Sequence, residues 1–114
     1  MSSKRDHLIE QYAAHIKGKF GENPDMDLLT KVVMGLGPAI YNSDSSKVSG
    51  TDHTELETVK NNFLLKKLGL ADGPDLMEGI KSVISVYGTS ERNKYRAVVY
   101  YMLAKHFKKE SVYN

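Results

Sequence analysis

Apolar residues recur along this chain at the three- and four-residue intervals of a helix, and the pattern stops and restarts several times. Leu8, Ile9, Tyr12, Ala13, Ile16 and Phe20 make one face, preceded by Ser3 at capping-box spacing from Asp6. Gly18 weakens the end of this helix, and Gly21 with Asn23-Pro24 closes it. Leu28, Leu29, Val32, Val33 and Leu36 make a second face. Asn23 is its expected cap, Pro24 its first helical residue, and Asp25 and Asp27 sit at the positive end of its dipole. Gly35, Gly37 and Pro38 end it, and residues 39–42 form a short turn anchored by Ile40 and Tyr41.

Residues 43–51 are polar and rich in Ser, Asp and Gly, which predicts the longest loop. Thr51 or Asp52 then caps a third helix carrying Leu56, Val59, Phe63, Leu64 and Leu68. Lys66 and Lys67 suit its last turn, Gly69 a left-handed stop, and Leu70 the hydrophobic contact after it. Pro74 opens a fourth helix with a stripe of Leu76, Met77, Ile80, Val83, Ile84 and Tyr87, stopped by Gly88.

The last pattern is different. From Ala97 to Ala104 the apolar run is unbroken and longer than two helical turns. A helix apolar on all sides must be covered by other elements. The expectation is a helix over 92–107, capped by Thr89-Ser90-Glu91, at the centre of an all-α fold. About five helices then form one compact domain over residues 1–114, with the first, third and fourth packed around the fifth. No run of alternating residues predicts a strand. Met26, Met34, Met77 and Met102 lie along the helices and read as core fillers.

Composition changes this picture little. The chain has 114 residues, enough for one core, and 40% apolar and 26% charged residues, as in ordinary globular domains. It has no cysteine, which removes disulfides, thiolate metal sites and a cysteine nucleophile. No apolar segment approaches the length of a secretory leader or membrane span, so the expectation is a cytoplasmic protein with no membrane partner. Charge is uneven: residues 1–57 carry six Lys/Arg against nine Asp/Glu, and residues 58–114 carry ten against five. Such halves neutralise each other on packing, or mark an anionic partner.

Catalytic signatures do not emerge. No Ser lies in a G-x-S-x-G elbow, and His7, His15, His53 and His106 match no zinc spacing. Glu55 and Glu57 point to different sides of their helix, so no acid–base pair forms. Asp44 and Asp52 do not make a calcium loop. No catalytic residue, metal or cofactor is predicted. Arg92, Lys94 and Arg96 are cations placed where the helix dipole disfavours them. Either carboxylates of the acidic half bridge to them, or an anion binds at Gly88, Thr89, Ser90, Arg92, Asn93 and Arg96. With Tyr95, Lys105, Lys108 and Lys109 the same corner extends to a nucleic-acid strip.

Several segments together carry a resemblance. They are P-D-M-D-L-L-T-K-V at 24–32, G-L-G-P-A-I-Y-N at 35–42 and V-S-G-T-D at 48–52. E-L-E-T-V-K-N-N-F-L-L-K-K-L-G-L-A-D-G-P at 55–74 and R-N-K-Y-R-A-V-V-Y-Y at 92–101 complete the set. In this order and spacing the chain resembles the domain of unknown function 2853 family, made of short bacterial proteins. The resemblance covers nearly the whole chain and implies a single compact helical domain in a bacterial cytoplasm. The family carries no assigned activity, so it transfers no functional residue.

By elimination, the leading class is a non-enzymatic module that binds a protein partner or a second copy of itself. The tyrosines give the candidate surface. Tyr87, Tyr95, Tyr100 and Tyr101 fall near the central helix and suit core packing with partnered hydroxyls. Tyr41, Asn42 and Asp44 beside the loop, with Tyr113 in the tail, are freer to meet a partner. Anion or nucleic-acid binding at the basic corner is the alternative.

Overall fold

Helix α1 spans Lys4–Phe20 and buries Ile9, Tyr12, Ala13 and Ile16 of its predicted face. The computed structural model describes residues 4–42, 45–88, 91 and 94–113, so the Ser3 cap lies outside the described residues. Gly21 turns left-handed (φ 67°) and its N–H donates to the Lys17 carbonyl at 3.0 Å, which stops the helix.

Helix α2 spans Met26–Leu36. Its cap is Asp25, whose carboxylate accepts from the Leu28 N–H at 3.2 Å, and not Asn23 as the Pro24 signal suggested. The Asp25 N–H points the other way and donates to the Tyr101 hydroxyl at 2.8 Å, so one residue both starts α2 and ties it to α5. A 3₁₀ turn over Gly37–Tyr41 follows, with Ile40 buried but Tyr41 46% exposed. Tyr41 therefore anchors nothing.

Helix α3, His53–Val59, is capped by Asp52, which accepts from the Thr54 N–H at 3.0 Å. It runs directly into a π-helical turn, Lys60–Leu65. The wider turn lets the stripe stay buried through Phe63, Leu64 and Leu68, and it lays Phe63 on Tyr100 at 4.0 Å with rings 16° from parallel. Gly69 (φ 69°) ends the segment. Helix α4, Pro74–Tyr87, and its stop at Gly88 (φ 116°) follow the sequence pattern closely.

Helix α5 spans Arg96–His106, four residues shorter at its start than expected. The reason is long-range. Residues around Tyr95 pair with the polar loop in an isolated antiparallel bridge, Lys47 to Tyr95. The Val48 N–H donates to the Lys94 carbonyl and the Arg96 N–H to the Ser46 carbonyl, both at 2.8 Å. Extended backbone cannot also be helical, so α5 begins only after the bridge. Thr89 and Ser90 of the expected cap, and Arg92 and Asn93 of the expected first turn, lie outside the described residues.

Ala97, Val98, Val99, Tyr101, Leu103 and Ala104 of α5 are at most 1% exposed, as an all-apolar helix requires. Its broadest neighbours are α2 and α4, with α1 beside them. The second helix thus takes the place expected for the third, which reaches α5 through the Phe63–Tyr100 stack. Lys108 (φ 56°) then turns the chain, and the 3₁₀ tail Glu110–Tyr113 folds back on α2. The fold is all-α with no strand among the described residues, and its radius of gyration of 13.2 Å suits one body of this length.

Where α4 meets the end of α5, Gly79 leaves room for the Phe107 ring. A Cβ there would lie 2.4 Å from Cζ of the Phe107 ring and 2.9 Å from Cε2. Gly18 of α1 has nothing within 4 Å of the same position. Gly18→Ala is expected to raise stability by up to ~1 kcal/mol through helix propensity. Gly79→Ala gains the same propensity but overpacks the Phe107 contact and lowers stability by about 1 kcal/mol net. Urea unfolding of both variants checks the opposite signs.

Candidate functional site

The basic corner is built largely for the interior. Gly88 caps α4, its N–H donating to the Ile84 carbonyl at 3.0 Å. Glu91 N–H returns to the Gly88 carbonyl at 3.0 Å, and the Glu91 side chain pairs with Lys19 of α1 at 3.4 Å. Lys94 is only 4% exposed and donates to the Glu91 carbonyl at 2.6 Å. Arg96 turns inward as well. Its Nε donates to the Ser45 carbonyl at 2.7 Å, Nη1 to the Tyr100 hydroxyl at 3.1 Å, and Nη2 to the Lys47 carbonyl at 3.3 Å. Nη2 also meets the Glu55 carboxylate in an ion pair with both side chains mostly buried. Burial opposes the charge on Arg96, but the Tyr100 hydroxyl and Glu55 outweigh it, and its pKa is raised. Of the six residues suggested for an anion, Gly88 and Arg96 are described, and both are engaged within the chain.

The neighbouring aromatic cluster is equally internal. Tyr95 N–H donates to the Tyr87 hydroxyl at 3.1 Å, and that hydroxyl lies 2.8 Å from His15 Nε2. Since the oxygen accepts from Tyr95, its proton is best given to a neutral imidazole protonated at Nδ1. Tyr12, His15 and Tyr95 pack ring against ring at 5.2 Å. Burial lowers the His15 pKa below its ordinary value, while Glu91 pulls it up and Lys19 pushes it down. Burial raises Tyr87 strongly, so it stays a protonated donor.

The four tyrosines expected in the core have hydroxyl partners, with Gln11 completing the set by donating to Tyr95 at 3.4 Å. The proposed partner surface separates. Tyr41 and Asn42 are exposed, with the Lys4 ammonium 5.6 Å above the Tyr41 ring. Asp44 lies outside the described residues. Tyr113 is half-buried against a concavity of about 280 Å³ bordered by Gly35, Lys67 and Tyr100, and Lys67 sits 4.9 Å over its ring. Burial, then the Tyr100 hydroxyl, pushes its pKa up to about 12.

What the sequence did not show is a groove formed where α1, α4 and α5 come together. Two adjoining hollows of about 250 and 270 Å³ share Glu22, Val86, Tyr101 and Met102. Ile16 and Phe20 of α1 complete one hollow; Ser82, Val83, Lys105 and His106 complete the other. Val86 is 65% exposed, the most open of the large hydrophobic side chains among the described residues. It lies off the α4 stripe, and an apolar residue there was the one signal available in the sequence. Met26 (44%) and Met34 (53%) are also exposed, so these two methionines are not core fillers; Met77 and Met102 are partly buried against the core.

Among the described residues every buried side-chain nitrogen and oxygen has a partner, and no three His, Asp or Glu side chains gather to hold a metal. No helix among them is long and apolar enough to cross a membrane. A family model described as "Protein of unknown function (DUF2853)" matches residues 11–111, and the chain belongs to that family. No curated protein matches the chain.

Two outcomes follow from the buried polar groups. Arg96→Met should lower stability by about 3 kcal/mol in urea unfolding, because it strands Glu55 and strips the loop carbonyls of their donor. Arg96→Lys should recover little, since an ammonium cannot fork. The second concerns pH. His15 binds protons less readily folded than unfolded, so its contribution is complete above about pH 6.5 and is lost as pH falls through the folded pKa. The loss of stability between pH 7.5 and 5 should be smaller in His15→Gln than in the parent, measured by urea midpoints.

Proposed function

We propose that this chain is a non-enzymatic interaction module whose binding surface is the groove between α1, α4 and α5. The observation that carries the reading is Val86, an exposed aliphatic side chain bordering two hollows floored by Tyr101 and Met102. Concave apolar surface with a polar margin is the form a protein-binding site takes. Glu22, Lys105 and His106 supply that margin. Lys94 and Arg96 point into the fold, which leaves the groove as the better-supported surface.

The test is a pull-down with the tagged chain from the cells that encode it, with and without nuclease. The parent should retain specific protein that survives nuclease. Val86→Asp should lose it while keeping the same helical circular dichroism, since Val86 carries little of the core. Equal retention by the variant would remove the groove from the reading. Nuclease-sensitive nucleic acid alone would move the function to the basic residues.

A further inference from the structure

We infer that the occupant of the groove is a second copy of this chain, in a two-fold pairing; this rests on the groove being the binding surface. Shape is the first ground. Val86, 65% exposed, borders both concavities of about 250 and 270 Å³. An exposed side chain beside a hollow is self-complementary. Turned about a two-fold axis, Val86 of each copy enters a hollow of the other, and the same patch serves both sides, as a closed dimer requires.

Charge is the second ground. The margin carries Glu22, from the turn after α1, and Lys105, from the last turn of α5. Neither belongs to an ion pair among the described residues, although Lys105 lies 5.3 Å from the Tyr101 ring centre. A two-fold pairing sets Glu22 of one copy against Lys105 of the other and makes that contact twice. An acidic or a basic partner would satisfy only one of them. The net charge of the whole chain is only +2, so two copies repel each other weakly.

The patch is small, which places the dimer among weak, reversible assemblies rather than obligate ones. Its formation should depend on concentration and weaken with salt.

Sedimentation equilibrium of the full chain from about 10 µM to 1 mM tests this across the range of weak association. The apparent mass should rise towards twice that of the chain. Glu22→Lys alone and Lys105→Glu alone should each weaken association about tenfold at low salt. Mixing the two variants should restore it, because each supplies the charge the other lacks. Val86→Asp should abolish it without loss of helicity. A chain that stays monomeric throughout, or a mixture no tighter than either variant alone, overturns the two-fold pairing. If the chain is monomeric yet Val86→Asp still loses a protein in the pull-down, the groove reading stands and only the second copy is wrong. If Val86→Asp changes neither measurement, both fall.

Discussion

The fold depends on what holds the start of α5, and that is the Arg96 guanidinium. α5 is apolar on every side, so it must be surrounded, and its surroundings come from distant parts of the chain. Arg96 reaches the Ser45 and Lys47 carbonyls of the loop, Glu55 of α3 and Tyr100 one turn along its own helix. A forked, permanently charged donor is the one side chain that can satisfy these acceptors together. The loop it grips would otherwise hang polar carbonyls over the core beside buried Val48. The cost of bringing a charge inward is offset by hydrogen bonds that no apolar residue could make there.

Other features follow from enclosing α5. Tyr100 gives its hydroxyl to Arg96 and its ring face to Phe63, and the π turn is what brings Phe63 face to face with it. On the opposite flank, Tyr101 takes the Asp25 N–H and fixes the start of α2. Gly79 lets the Phe107 ring sit against α4 where any Cβ would intrude. The helix is therefore held through two adjacent tyrosines on different faces, Tyr101 through its hydroxyl to the start of α2 and Tyr100 through its ring to Phe63.

Much of this was legible in the chain. Five apolar stripes gave five helices, and Gly21, Gly37, Gly69 and Gly88, read as stops, have positive φ. These are local signals, set by side-chain period and by the one residue that tolerates left-handed backbone. The misses are long-range. α5 starts late because Tyr95 pairs with Lys47, which lies far back in the chain. Asp25 displaced Asn23 as a cap because Tyr101 claims its N–H, and α2 displaced α3 as the main neighbour of α5. The π turn was invisible because one extra residue barely disturbs a stripe. Of the candidate site, the sequence offered Lys94 and Arg96, which the fold turned inward, while the groove draws on three separate helices and has no sequence period at all.

That origin bears on why the groove is apolar. A lone exposed valine needs no explanation, since much of any protein surface is carbon. Val86 differs in its setting. The α4 stripe is complete without it: Leu76, Ile80, Val83, Ile84 and Tyr87 are buried, and a polar residue at 86 would cost the core little. Yet the side chain there is aliphatic, and it adjoins half-buried Phe20 and Met102, which helix packing leaves only partly covered. Packing around α5 accounts for Phe20 and Met102, because both also touch the core. It does not account for Val86, and the function of the groove has to be sought at that residue.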